Sequence, residues 1–318
     1  MIRTVRFHEY GGPSVLKLET VSIGDAGHGE VRMTQEAVGL NFVDTMLREG
    51  TFGVPLPSGI GFEAAGFITQ VGSGVSGFSV GDRVGYFYAE NAYASERLIN
   101  PRHLVLLPND ISTDQAAALL AKGLTAWMGL RVLSEVKAGD TVLVLGASGS
   151  VGAIVSRWAR HIGATVIGLA GSAAKLGKVA EGADIALSSD DRDLPAKIAS
   201  IAPGGADVVF DFVGRATEVI AAQFVRDGGR ILTIGAASGQ PHFDLQTLAK
   251  RGVSVQGGST PQVVTGGRVA LATAELFSAI RKGLFNDLQI NRYPLYEVTR
   301  AHGELSSRKI DGLPILVP

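Results

Sequence analysis

The sequence predicts an α/β protein of two domains, in which a doubly wound parallel sheet follows a β-rich segment. Three observations predict it. The 318 residues are too many for one ordinary core. Beyond residue 140, strand-length apolar runs alternate with helical segments, the pattern of a parallel sheet covered on both faces. One of those strands passes through a glycine-rich turn directly into a helix.

Composition sets the outer bounds. Hydrophobic residues make up 46% and charged residues 19%, so a large core can be buried and disorder is not expected. The net charge of −1 gives no electrostatic drive toward nucleic acid or an anionic membrane. There is no cysteine, which removes disulfides, thiolate metal sites and a cysteine nucleophile. The N-terminus MIRTVRFHEY lacks the apolar stretch of a signal peptide. The apolar runs, such as TVLVLG, are far short of a membrane span. A soluble cytoplasmic protein is expected.

In chain order, residues up to about 115 read as β-rich, with EVRMTQEAVGL, AAGFITQVG and GFSVGDRVGYF punctuated by Gly and Pro. NFVDTMLREG is the exception: Phe42, Met46 and Leu47 have helical spacing, with Asn41 placed to cap them. Near Ser112 the chain turns Ala/Leu-rich, and STDQAAALLAKGLTAWMGLRVL suits two helices broken at Gly123. TVLVLG, ATVIGLAG, DIALSS, ADVVFDFVG and GRILTIGAA follow as strands. Helices are expected over SVGAIVSRWARHIG, AAKLGKVAEG, DLPAKIASIAP and about 264–284. VSVQGGST would be an edge strand, and an exposed edge invites pairing with a second copy. The tail is expected to be extended and to end in LPILVP.

The sharpest motif is TVLVLGASGSVGAIVSRWA. A buried strand enters Ala147-Ser148-Gly149-Ser150-Val151-Gly152 and then a helix, a dinucleotide fingerprint whose first glycine is alanine. Gly149 would let backbone approach a pyrophosphate, and Gly152 would let helix and strand pack closely. The helix N-terminus offers N–H groups and the positive end of its dipole to the phosphates. Strand before, helix after and a continuing βαβ pattern make this a Rossmann-type assignment. A glycine turn that binds nothing is the bland alternative. An NAD site wants an acid about 20 residues further on. Here the second strand ends in Gly171-Ser172-Ala173-Ala174-Lys175. A hydroxyl and an ammonium suit a 2′-phosphate, so NADPH is preferred, although Lys175 could equally be a solvated helix lysine.

At this point the chain resembles the zinc-independent quinone oxidoreductase (zeta-crystallin-like) branch of the medium-chain dehydrogenase/reductase superfamily. The similarity is carried by FHEYGGPSVL, VGLNFVDTMLREG, GFEAAGFITQVGSGVSGFSVGDRV, AAALLAKGLTAW, GASGSVG, DVVFDFVG and SSRKIDGLPILVP, and so runs nearly end to end. It implies a GroES-like β-rich catalytic domain built from both chain ends (1–117 and 259–318), with a Rossmann domain (118–258) inserted. NADPH would lie in the cleft between them. Zinc-dependent relatives have a G-H-E segment and a ligating cysteine. Here Gly61-Phe62-Glu63 stands in that place and the six histidines show no paired ligand spacing, so no metal is expected.

The resemblance also implies site residues. Asn41 and Asp44 would approach the nicotinamide, and Lys122 and Thr125 would line the cleft. Gly149, Ser150 and Val151 would hold the pyrophosphate, and Ser172 and Lys175 the 2′-phosphate. Ser189 stands beside that phosphate where known quinone-reducing members carry tyrosine. Val213, Gly214 and Gly235 would flank the ribose units, and Arg308 would reach the cofactor from the tail. Met46 and Phe52, also tyrosines in those members, would form an apolar substrate wall, and a family arginine appears as Ser259. Bland readings stand beside several of these. Asn41 could only cap its helix, Asp44 could balance Arg48, Thr125 could back-bond, and Met46 and Phe52 could be core.

The implied reaction is hydride transfer from NADPH to a quinone or similar electron-poor acceptor. Asn41, and then Lys122, are the candidate donors to a developing oxyanion. An enone, enoyl or alkenal reductase is the alternative, and a non-catalytic NADPH-binding protein a further one. A homodimer is expected, with no nucleic-acid or membrane partner.

Overall fold

The computed structural model describes all 318 residues and divides them into two compact units, Met1–Ala121 with Leu288–Pro318, and Lys122–Asp287. The first unit opens with β1 (Ile2–Phe7), β2 (Lys17–Val21) and β3 (Val31–Gly39). Helix α1 (Phe42–Arg48) and β4 (Ser58–Gly59) follow. The segment closes with β5 (Ala64–Val71), β6 (Arg83–Tyr86), β7 (Glu96–Ile99) and β8 (Leu104–Leu106). Strand β3 alternates buried residues with half-buried or exposed ones before becoming wholly buried at its end, as expected where one sheet face packs inward. Val5, Phe7, Met33, Leu40, Ile68 and Tyr93 are among the side chains that fill this core.

Helix α2 (Thr113–Trp127) is continuous and widens into a π-helical segment over Met128–Leu133. The expected break at Gly123 is absent. A Cβ at Gly123 would overlap the Leu276 side chain, so the glycine serves close packing and does not end a helix. Thr113–Leu133 is long and apolar enough to cross a membrane by composition, but 83% of its most apolar window is buried inside the fold. That burial is the mark of a core helix.

The second unit alternates β9 (Thr141–Leu145), α3 (Ser150–Ile162), β10 (Thr165–Ala170), α4 (Leu176–Gly182) and β11 (Ile185–Ser188). It continues through α5 (Leu194–Ile201), β12 (Ala206–Asp211), α6 (Glu218–Phe224), β13 (Val225–Thr233), α7 (Leu245–Lys250) and β14 (Ser254–Gly257). Two more helices, α8 (Thr260–Val263) and α9 (Gly267–Arg281), complete it. The six strands are parallel, in the order β11-β10-β9-β12-β13-β14. This is the doubly wound dinucleotide-binding order, with its switch point beside β9. Val142 through Leu145 and Val208 through Phe210 are buried without alternation, because helices cover both faces. Each such side chain contributes about 1.5–3 kcal/mol.

The chain then returns to the first unit through β15 (Ile290–Pro294), α10 (Val298–Ser306) and β16 (Leu313–Val317). Strand β16 pairs with β15 and antiparallel with β3. Two expectations need correction. The return was expected at residue 259, but the second unit extends to Asp287, since α9 packs Leu276 where Gly123 leaves room. The tail is not wholly extended. Val298, Ala301 and His302 form the buried stripe of α10, a pattern that its charged and small residues hide from an apolar-periodicity reading.

Candidate active site

In the second unit, almost every candidate cofactor residue falls at the carboxyl ends of parallel strands. Strand β9 turns at Gly146, whose φ is +84°. The amides of Gly146 and Ala147 both donate to the Leu169 carbonyl at 3.1 Å. The left-handed turn is therefore made one residue before the fingerprint, which explains why alanine is tolerated at 147. Gly149, in an extended conformation, is the N-cap of α3 and makes no side-chain cap bond. Ser150 and Val151 open the helix. A Cβ at Gly152 would overlap the Gly146 carbonyl oxygen, so the helix lies against the loop as closely as backbone permits. A pyrophosphate fits this cradle: no capping side chain obstructs the helix N-terminus.

The neighbouring strand ends extend the same edge. Ser172 starts the turn after β10, followed by Lys175, and both are half-buried. Ser189 is exposed, and its amide donates to the Ala170 carbonyl at 2.9 Å. Ser172 and Ser189 thus leave adjacent parallel strands, paired at Ala170 and Ser188. After β12, Asp211 Oδ1 accepts the amides of Val213 (2.8 Å) and Gly214 (2.9 Å) and the Thr217 hydroxyl (2.9 Å). Gly214 has φ +91°, and a Cβ there would overlap the Gly239 carbonyl oxygen. The Gly235 amide donates to the Asp211 carbonyl at 3.2 Å. Asp211 is buried, its Oδ2 has no hydrogen-bond partner, and burial raises its pKa. This aspartate organises the turn and was not singled out from sequence. An Asx turn closing on D-x-x-G was the available signal. On α2, Lys122 and Thr125 are buried, and the Thr125 hydroxyl lies 2.8 Å from that of Thr260.

In the first unit, Asn41 is the N-cap of α1, with extended φ and ψ. Its role exceeds capping. The Asn41 amide nitrogen donates to Glu63 Oε1 at 2.8 Å, and Glu63 Oε2 accepts the Ala121 amide at 2.7 Å. Glu63 is fully buried. A carboxylate only accepts, so the nitrogen of the carboxamide must face it. Asp44 is also fully buried; its Oδ2 accepts the Asn41 amide N–H and the Tyr93 hydroxyl, each at 2.8 Å. Tyr93 lies 3.1 Å from His302 Nε2, and His302 Nδ1 lies 3.2 Å from Arg48. Burial, and then the nearby Arg48 charge, lower the His302 pKa to about 3. Glu63, Tyr93, His302 and Arg48 were missed as site residues because nothing local in sequence joins positions 48, 63, 93 and 302.

Met46 is half-buried on α1, while Phe52, in the loop beyond it, is 53% exposed. The Thr51 amide donates to the Met46 carbonyl at 3.0 Å, which keeps the two side chains in one local segment. Phe52 is therefore not core. Arg308 is exposed just past α10 and has φ +57°. No group of three or more histidine, aspartate or glutamate side chains converges to hold a metal.

The chain is similar to known proteins along its whole length. Residues 27–103 match the family described as alcohol dehydrogenase GroES-like domain, and residues 150–269 the family described as zinc-binding dehydrogenase. Quinone oxidoreductase 1 of Escherichia coli is 35% identical, covering 100% of both chains. A 2-haloacrylate reductase of a Burkholderia species is 32% identical over 100% of this chain and 99% of its own. The crystal structure of Escherichia coli quinone oxidoreductase complexed with NADPH superposes with a TM-score of 0.94 at 35% identity, covering 99% of this chain and 100% of the other.

Proposed function

This chain belongs to the quinone oxidoreductase branch of the medium-chain dehydrogenase/reductase superfamily, and from that premise we propose that it is a zinc-free, NADPH-dependent quinone reductase. The observation that carries the reading is the Gly146–Gly152 turn, a backbone cradle at the switch point of a doubly wound sheet. NADPH, when bound, supplies the hydride that reduces a quinone or related electron-poor acceptor. Gly149, Ser150 and Val151 hold its pyrophosphate. Ser172, Lys175 and Ser189 receive the 2′-phosphate, with no carboxylate in the 171–175 turn to repel it. Val213, Gly214 and Gly235 flank the ribose units. Lys122 and Thr125 line the nicotinamide end.

Asn41 does the orienting work. Glu63 fixes one N–H of its carboxamide, leaving the second as a donor to the oxygen that gains charge in the acceptor. A donor aimed in advance needs no reorganisation during reaction. Met46 and Phe52 form an apolar wall for a planar ring, and a proton from water completes the reduction. We also assign the chain to the cytoplasm as a homodimer, for which β14, an edge strand of its sheet, offers unpaired backbone groups.

A second reading, reduction of an activated alkene, is favoured by the 2-haloacrylate reductase among its relatives. It also suits a pocket whose walls at Met46 and Phe52 lack hydroxyl donors. The test is titration of the purified protein with NADPH and NADH, followed by NADPH oxidation with a naphthoquinone, an alkenal and 2-chloroacrylate. The expected result is preferential NADPH binding and fastest turnover with the quinone. Fastest turnover with the alkene would replace the first reading by the second. Absence of binding would remove both, and binding without turnover would mark a non-catalytic protein.

Arg308 offers a separate check. A non-glycine residue in the left-handed region is disfavoured by about 1 kcal/mol, and glycine is preferred just past a helix end. Arg308→Gly is therefore expected to raise Tm by roughly 1–3 °C and to weaken NADPH binding about tenfold through loss of a charge-assisted contact. A higher Tm with unchanged NADPH affinity would remove Arg308 from the cofactor site.

A further inference from the structure

We propose that Tyr93, His302 and Arg48 are positioning residues, a buried hydrogen-bond relay that seats Asp44 on the Asn41 amide and so sets where the Asn41 carboxamide points. The inference rests on the reading of Asn41 as the orienting donor, and deepens it. Counting protons fixes the direction of the relay. A guanidinium only donates, so His302 Nδ1, 3.2 Å from Arg48 Nη1, is the acceptor. The imidazole proton then sits on Nε2, 3.1 Å from the Tyr93 oxygen, and donates to it. The Tyr93 hydroxyl hydrogen is left for Asp44 Oδ2 at 2.8 Å. Asp44 Oδ2 also takes the Asn41 N–H at 2.8 Å. Each link therefore has one donor and one acceptor.

The far end is anchored. Arg48 donates to the Gly11 carbonyl at 2.9 Å and pairs with Glu49. Tyr93 is held by steric fit as well: Gly61 has φ +89°, and a Cβ there would overlap its ring. Asn41 is thus clamped twice, by its backbone on Asp44 and by its side chain on Glu63.

A capping box alone would not need this depth. It requires only the reciprocal contact of Asn41 with Asp44. Arg48, Asp44, Tyr93 and His302 are all buried, in a core where apolar residues of similar volume would give comparable stability. A buried polar relay in which every link has its donor and its acceptor instead favours one arrangement of its members. Here that arrangement ends on the residue whose carboxamide must be aimed. Asp44 accordingly acts on the reaction through Asn41.

The test uses the full-length protein with Tyr93→Phe, His302→Leu and His302→Gln, the last of which keeps a donor for the Tyr93 oxygen. Tyr93→Phe and His302→Leu are expected to lower kcat about tenfold, the effect of a slight misplacement at the reacting centre. The dissociation constant for NADPH and the KM for the acceptor should each stay within about twofold, and the isotope effect with deuterated NADPH should rise. His302→Gln should retain at least about half of wild-type kcat, a rescue that a merely space-filling histidine would not show. Nitrogen NMR of the cofactor-free protein should show His302 as the Nε2–H tautomer, and the Asn41 side-chain amide signals should move in Tyr93→Phe. A wild type that oxidises NADPH while Tyr93→Phe keeps kcat within twofold overturns the relay. So does an Nδ1–H tautomer, or unmoved Asn41 signals, even if no acceptor is turned over and the reductase reading itself fails.

Discussion

Replacing Asn41 with alanine is expected to lower kcat about a hundredfold, the loss seen when one preorganised donor to a developing oxyanion is removed. The dissociation constant for NADPH should change by less than about threefold, since an interaction made chiefly in the transition state contributes little to ground-state binding. The variant also carries a stability penalty. Glu63 is fully buried and loses one of its donors, which costs about 1–3 kcal/mol. Tm and kcat must therefore be measured together, with kcat taken well below the variant's Tm. Glu63→Gln is the companion. It keeps the volume but lets the carboxamide of Asn41 turn over, and should lower kcat with a smaller loss of Tm. Equal losses of turnover and NADPH affinity in Asn41→Ala would show that Asn41 binds cofactor without aiming the reaction.

The second large effect is expected at Gly152. A Cβ there would overlap the Gly146 carbonyl oxygen and lie 3.0 Å from the Ala147 α-carbon. Valine adds two further methyl groups at the same point. Helix α3 cannot retreat freely, because Val155, Trp158 and Ala159 on it are buried. The loop must therefore move, at about 1–3 kcal/mol of overpacking. A displaced loop no longer presents its N–H groups to a diphosphate, and hydrogen bonds to charged groups contribute about 1.5–3 kcal/mol each. Gly152→Val is accordingly expected to weaken NADPH binding about a hundredfold, as read by fluorescence titration. Gly149→Ala is the contrast. Its Cβ would meet only the Gly146 carbonyl oxygen, at 3.3 Å, so its stability should hardly change and any lost affinity would come from crowding the ligand. NADPH affinity within threefold of wild type in Gly152→Val would sink the diphosphate cradle as the cofactor site.

Much of this molecule was legible before any coordinates. A buried strand, a glycine turn and a helix lie within about twenty consecutive residues, so the motif is written in one stretch of the chain. Unbroken apolar runs such as Val142–Leu145 mark a sheet covered on both faces, and that alone fixes parallel strands with helical crossovers. Zinc thiolate chemistry was excluded by composition, because there is no cysteine to supply it.

Tertiary structure decided what depends on residues far apart in the chain. The partner that fixes the Asn41 carboxamide is Glu63, and the relay behind Asp44 draws on Tyr93 and His302; no periodicity links them, since Glu63 lies just before β5, Tyr93 in the loop before β7 and His302 on α10. Gly123 reads locally as a helix breaker, but the approach of Leu276 makes it a packing site inside one long helix. The same contact holds α9 in the second unit, so the return at residue 288 follows from packing and left no mark in composition. Alanine at 147 reads as a defective fingerprint until Gly146 is seen to make the left-handed turn. Sequence by itself determined where the backbone cradle lies, because its strand, glycines and helix are consecutive in the chain. Only the fold decided the side-chain constellation, because burial and hydrogen-bond partners are set by elements that meet in space after the chain has folded.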